Sequence, residues 1–437
     1  MEFKKLWAKD NANKNFQEII GKFTVGKDRE FDTVLAKFDI MGNKAHAAML
    51  NKIGFITDQE NESIQKELDE MFELAKDDLL QIDDDVEDIH SQIEINLTQK
   101  LGDAGKKIHT GRSRNDQVLL DIKLFLRSEI EEIASLTKKL FDRFLQLASE
   151  KQHILMPGYT HYQIAMPSSF GLWFSAFAES LSEDLELLAT AYSSASKNPL
   201  GSGAGYGSSF PLDRDFTTEK LGFKGLNVNS IYAQSTRGKS EKFLAFALAS
   251  IAATIGKMAN DICLYSNQNY GFISFPAELT TGSSIMPHKK NPDVFELIRG
   301  KASRIQATPN ELTLLLNNLS TGYNREYQLT KEILFPAISD LKASLEIFEF
   351  MIGQIQINEQ ILDDPKYDYL FSVEKINELM LSGLGFRDAY REVGNSIENG
   401  TYEYERKNLN HTHKGSIGNL ALEDIQSAFD KVFAYFS

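Results

Sequence analysis

Eleven residues, Gly282-Ser283-Ser284-Ile285-Met286-Pro287-His288-Lys289-Lys290-Asn291-Pro292, combine a flexible glycine, two hydroxyls and two adjacent lysines just before a helix start. Asn291 is expected to cap that helix and Pro292 to take its first position, where a missing N–H costs nothing. Val294, Leu297 and Ile298 then lie on one apolar side of a helix through Lys301. A cationic, hydroxyl-bearing loop beside a helix N-terminus suits an anion and the charge that develops on it. For a lone lysine pair, a solvated loop is the plainer reading. The other polar stretches decide between the two.

His109-Thr110-Gly111-Arg112-Ser113-Arg114-Asn115-Asp116-Gln117 sets two arginines at the start of a long helix. It reads equally as an anion site or as an ordinary capped start. Pro157 and Pro167 bracket a loop carrying His161, the side chain type most easily poised near neutral pH, with Thr160 and Gln163 beside it. In Tyr323 to Lys331, Gln328 and Lys331 are three apart and share a face if the stretch is helical, which reads as a clasp for a zwitterion or simply as a polar helix surface. The glycine-rich Leu200 to Ser209 fails the dinucleotide fingerprint, because the third glycine falls on Tyr206 or Ser208. Gly238-Lys239-Ser240 fails the P-loop pattern, with Ala233 at the upstream glycine position. The glycine-rich stretch is therefore expected to be a flexible loop closing over a site. The acidic run Asp83 to His90 lacks calcium-loop spacing and reads as a helix start feeding Ile89, Ile93 and Leu97. His411 and His413 lack a third ligand and read as surface, so no metal site is expected.

The elements that must position these groups are helical. There are 10 prolines, none before Pro157, and seven fall between Pro157 and Pro292, so the first third is free to form long helices. Helices are expected at 39–52, 58–77, 115–152, 168–195, 240–268, 292–317, 332–356, 373–381 and 386–397. The third would be roughly 55 Å long at 1.5 Å per residue, which implies a long bundle. The division expected is an N-terminal helical domain (1–110), a central long-helix bundle (111–360) and a small C-terminal helical domain (361–437).

The chain has 437 residues, 42% of them hydrophobic, and a formal net charge of −15. That balance opposes sequence-independent binding to nucleic acid or to an anionic membrane, while a small anionic substrate could bind at locally concentrated cations. One cysteine, Cys263, leaves no disulfide framework. The apolar run Phe243 to Ile255 is too short to cross a bilayer and the N-terminus shows no apolar signal region, so a cytoplasmic setting is expected.

The 282–292 loop resembles the GSSxMPxKxNP signature of the fumarase/aspartase superfamily at each fixed position. Within it, His109 to Val118 and Tyr323 to Lys331 resemble the argininosuccinate lyases. The resemblance implies an all-α, three-domain fold with a long central helical bundle, assembled as a homotetramer whose active sites draw loops from three subunits. It implies reversible cleavage of argininosuccinate to arginine and fumarate, in arginine biosynthesis, without metal or organic cofactor. It marks Ser283 as the catalytic hydroxyl, His161 as an acid/base group, Glu296 as its carboxylate partner and Lys289 as a charge-stabilising cation. Lys289 and Asn291 would hold the succinyl carboxylate. Asn115, Thr160, Tyr323, Gln328 and Lys331 fall on other substrate-contacting positions. Ser283 as base and His161 as acid is the assignment favoured.

Some positions depart from the family pattern. Leu6-Trp7 is followed by Ala8-Lys9-Asp10, Thr236-Arg237-Gly238 replaces an Asp-Arg-Asp, and Tyr390 replaces a histidine. Asp28 stands where the family has a serine that helps seat the substrate. The rival readings are another fumarate-releasing enzyme such as adenylosuccinate lyase, a modified argininosuccinate-like substrate in view of Asp28, and a non-catalytic crystallin-like structural homologue. The latter predicts loss of a catalytic group, yet His161, Ser283 and Lys289 are all present.

Overall fold

Nearly every expected helix forms. The computed structural model describes residues 14–83, 86–406 and 409–436; the Leu6-Trp7 motif and Asp84-Asp85 lie outside them. The helices are Lys14–Val25, Asp28–Lys52, Asp58–Lys76, Ile89–Leu101, Arg114–Glu150, Phe170–Ala195, Lys239–Tyr265, Asp293–Leu315, Leu329–Ile352, Ser372–Leu381, Phe386–Glu398 and Leu422–Phe433, with shorter turns between. The second begins at Asp28 rather than Asp39, because nothing between them breaks a helix. Thr57 caps the third through a full capping box with Glu60. The acidic run ends in Asp88, which accepts from the Ser91 N–H and so caps Ile89–Leu101. Pro309 and Pro336 sit inside helices, where spacing alone marked no break.

The chain divides into two compact units, each of three segments. The first takes the described residues of Met1–Ile130, Thr190–Ala245 and Thr308–Ala337. Its core joins the helices Asp28–Lys52, Asp58–Lys76 and Ile89–Leu101 through Ile40, Leu50, Ile64, Leu68, Ile93 and Leu97, all at most 1% exposed. Phe38 and Phe335 both pack on Phe125, with ring centroids at 5.9 and 4.3 Å. Buried Lys123 fastens the far end, donating to Asn227 Oδ1 at 2.8 Å and to the Ser194 and Lys197 carbonyls.

The second unit takes the described residues of Glu131–Ala189, Phe246–Ala307 and Ile338–Ser437. Phe348 packs edge-on against Phe144 and Phe295, and Phe141 stacks on Phe429 at 3.8 Å. Gly256 lets two helices close up, since a Cβ there would meet the Ala302 Cβ at 2.9 Å. The helix holding the apolar run extends over Lys239–Tyr265, and by length and composition it could cross a bilayer. Its apolar side is core instead: Leu248, Ile251, Ala252, Met258 and Ile262 are all 0% exposed.

The stretch Pro157 to Pro167 is not a loop. Leu155–Thr160 and Gln163–Ser169 form an antiparallel hairpin in which Pro157 faces Pro167. In a two-stranded ribbon both strands are edges, so neither proline removes a bond that a third strand would need. His161 and Tyr162 connect the strands with φ of 53° and 60°. That left-handed pair matches strand twist, but it is usually Asn-Gly, which is why the spacing hid it.

Candidate active site

Within the first unit one pocket gathers four of the expected residues, Asn115, Tyr323, Gln328 and Lys331. Asn115 enters on the first turn of Arg114–Glu150. Gln328 closes the short 3₁₀ turn Arg325–Gln328, and Lys331 follows on the first turn of Leu329–Ile352. Helix Asp28–Lys52 supplies the opposite wall. Lys331 Nζ donates to Asp32 Oδ1 at 2.6 Å and also binds Asp28. Gln328 Nε2 donates to Asp28 Oδ2. Burial pushes the Asp32 carboxyl up, while the adjacent Lys331 pulls it down.

The other cations of the pocket are also matched. Arg114 Nε lies 3.4 Å from Asp88 Oδ2, Arg325 Nη2 is 3.2 Å from Glu87 Oε1, and Arg237 Nε is 3.8 Å from Glu241 Oε1. Of the two arginines in the 109–117 stretch, only Arg114 lines the pocket. Arg112 is turned inward and donates to Asn43 Oδ1 and the Ile108 carbonyl. In the pocket lining, His90 Nδ1 lies 2.9 Å from Asp39 and 3.3 Å from Asp121, all three with fully buried side chains. Burial pushes Asp39 up, but the His90 charge and hydrogen bond, with Arg112, hold it at about 2. Burial and the neighbouring Asp39 leave Asp121 well above the carboxylate range.

The glycine-rich stretch is anchored rather than free to close. Gly201 and Gly203 both donate backbone N–H to Asp116 Oδ2 at 2.9 Å, and the Ser113 N–H reaches Asp116 Oδ1. Gln234 adds bonds to Ser202 Oγ and the Gly203 carbonyl. The glycines supply positive φ, 83° at Gly201 and 61° at Gly203, so the N–H groups on either side of Ser202 converge on one carboxylate. That anion is the protein's own carboxylate.

The other six expected residues belong to the second unit. Thr160 and His161 occupy the hairpin tip and are exposed. Thr281 and Asn291 close the base of the lysine loop through reciprocal backbone bonds of 2.9 and 3.3 Å. Ser283 Oγ accepts from the N–H groups of Ile285 and Met286 at 3.3 and 3.2 Å. Lys289 and Lys290 are exposed, and among the described residues neither has an ion-pair partner. The helix begins at Asp293, so Asn291 is not its cap: its Nδ2 points to Thr281 Oγ1 at 3.5 Å. Glu296 stands exposed on the first turn. Among the described residues no hydrogen bond joins His161 to Ser283 or Glu296.

Asp32 carries no mark in the sequence reading, and Asp88 is marked only as part of the acidic helix start. The four-residue spacing of Asp28 and Asp32, which places both on one helical face, was the available signal. His411 is half-buried, with Nε2 3.0 Å from Glu374 Oε1, while His413 is exposed.

A family profile described as lyase matches residues 6–307. The chain is 52% identical over 433 residues to the argininosuccinate lyase of Phocaeicola vulgatus, covering 99% of this chain and 96% of that one. It is likewise 52% identical over 433 residues to the argininosuccinate lyase of Parabacteroides distasonis, with the same coverage. Among solved structures, EDDS lyase in complex with formate superposes with a TM-score of 0.75 at 23% identity, covering 97% of this chain and 90% of that one. That last likeness speaks to the fold alone, a predominantly helical one. With a profile over more than half of its length and relatives half identical over nearly all of it, the chain belongs to the argininosuccinate lyases, a family of carbon–nitrogen lyases.

Proposed function

We propose that the chain cleaves argininosuccinate reversibly to arginine and fumarate, with Ser283 as base and His161, directly or through water, as acid. The observation that carries the assignment of Ser283 is its environment. Two backbone N–H groups already point at Oγ, so an alkoxide formed there would be stabilised without reorganisation. Ser283 Oγ takes a proton from the succinyl carbon beside the carboxylate, leaving a doubly charged aci-carboxylate. Lys289 and Asn291 stand in the same loop to meet that charge. The electron pair then forms the fumarate double bond as the carbon–nitrogen bond breaks, and the departing guanidine nitrogen takes a proton from His161, which Glu296 orients. The amino-acid end of the substrate lies against Asn115, Tyr323, Gln328 and Lys331, and Thr160 is a further substrate-contacting residue.

The same reading includes the three-domain division at 110 and 360, a cytoplasmic homotetramer, and chemistry without metal or organic cofactor. The exposure of His161, Lys289 and Glu296 beside a half-buried Ser283 supports sites completed by loops of other subunits. Purified protein incubated separately with argininosuccinate, adenylosuccinate, malate and aspartate tests the function. Fumarate chemistry with argininosuccinate alone is expected. Turnover of adenylosuccinate instead, or silence on all four, would replace this reading by one of its rivals.

A further inference from the structure

Each arginine that lines the first unit's pocket has one carboxylate partner, whereas Lys331 has two. Arg114 answers Asp88, Arg325 answers Glu87 and Arg237 answers Glu241, while Lys331 faces two carboxylates, Asp32 and Asp28. The surplus anion also holds Gln328. Lys331 and Gln328 are thus occupied before any ligand arrives. A ligand carboxylate placed beside Lys331 would join two carboxylates around one ammonium whose side chain is 2% exposed. In so dry a place an unmatched charge is strongly disfavoured. The group that restores balance is a cation on the ligand itself, next to its carboxylate.

We infer that Asp28 is a specificity-determining residue which makes this pocket select ligands with a free α-ammonium beside the α-carboxylate, displacing Asp28 from Lys331 and pairing it with that ammonium. The inference rests on reading the pocket as the amino-acid end of the argininosuccinate site. A serine at this position would leave Lys331 and Asp32 matched, so a ligand whose amino group is acylated would meet one fewer negative charge. Asp28 therefore raises the barrier to Nα-acylated or deaminated analogues more than to the parent compound.

The test compares kcat/KM for L-argininosuccinate and Nα-acetyl-L-argininosuccinate in wild type, Asp28→Ser and Asp28→Asn. Asp28→Asn preserves shape in case the serine variant folds poorly. Wild type is expected to favour the free amine by at least about a hundredfold. Both variants are expected to narrow that ratio about tenfold or more, chiefly through KM. A ratio unmoved in both variants, with wild type active on argininosuccinate, overturns the role of Asp28 alone. A wild type inactive on argininosuccinate overturns the functional reading, and this inference with it.

Discussion

Lys331 Nζ lies 2.6 Å from Asp32 Oδ1, and the two side chains are only 2% and 3% exposed. Such a pair contributes little when replaced whole, but removing one member strands the other. Lys331→Met leaves both Asp32 and Asp28 uncompensated on one helical face. The variant is expected to lose about 3–5 kcal/mol of stability in urea denaturation. The triple variant Lys331→Met/Asp28→Asn/Asp32→Asn should recover much of it. A loss below about 1 kcal/mol in the single variant would mean that the pair is solvated.

Asp116 is predicted to be the keystone of the glycine-rich stretch. Asp116→Ala strips an acceptor from the N–H groups of Gly201, Gly203 and Ser113 at once. With each buried donor left unsatisfied, the expected loss is about 2–4 kcal/mol. Hydrogen exchange should locate the loss in residues 200–209. Exchange rates there equal to wild type would contradict the anchoring.

His161 holds a left-handed φ of 53°, a conformation that disfavours most side chains by about 1 kcal/mol and suits asparagine and glycine better. His161→Asn is expected to keep or slightly raise the melting temperature while activity falls about a hundredfold or more. That split separates a chemical role from a structural one. Activity within tenfold of wild type would remove His161 from the mechanism.

Lys123 gives the stability a pH signature. Burial pulls its pKa down to about 7, while the nearby Glu241 opposes this. Between that value and the ordinary lysine range the unfolded chain binds more protons than the folded one, so stability rises with pH there and is lost as pH falls toward 7. Relative to Lys123→Met, wild type should gain up to about 4 kcal/mol from pH 7 to pH 10. Parallel pH curves for the two proteins would show that Lys123 stays charged throughout.

Much of this was legible in the sequence. Apart from the start of Asp28–Lys52, periodic apolar spacing placed the long helices to within a few residues, because a buried stripe and a cap such as Thr57 are local facts. The lysine loop and the Tyr323 to Lys331 turn were marked by residue type alone. What escaped were relations between distant segments. Asp116 looks like any helix-start carboxylate until residues 201–203 fold onto it, and Arg112 looks like a ligand cation until Asn43 claims it. The hairpin at His161 escaped because its turn residues lack the usual glycine. The surplus charge at Asp28 becomes visible only once helix Asp28–Lys52 faces Lys331.

The central claim is that Ser283 begins fumarate release from argininosuccinate, and the direct measurement is the rate of fumarate formation by wild type beside Ser283→Ala. Wild type should release fumarate. The variant should fall by about a thousandfold or more while still binding argininosuccinate with little change in affinity. Near-normal turnover by the variant, or no fumarate from the wild type, would contradict the account.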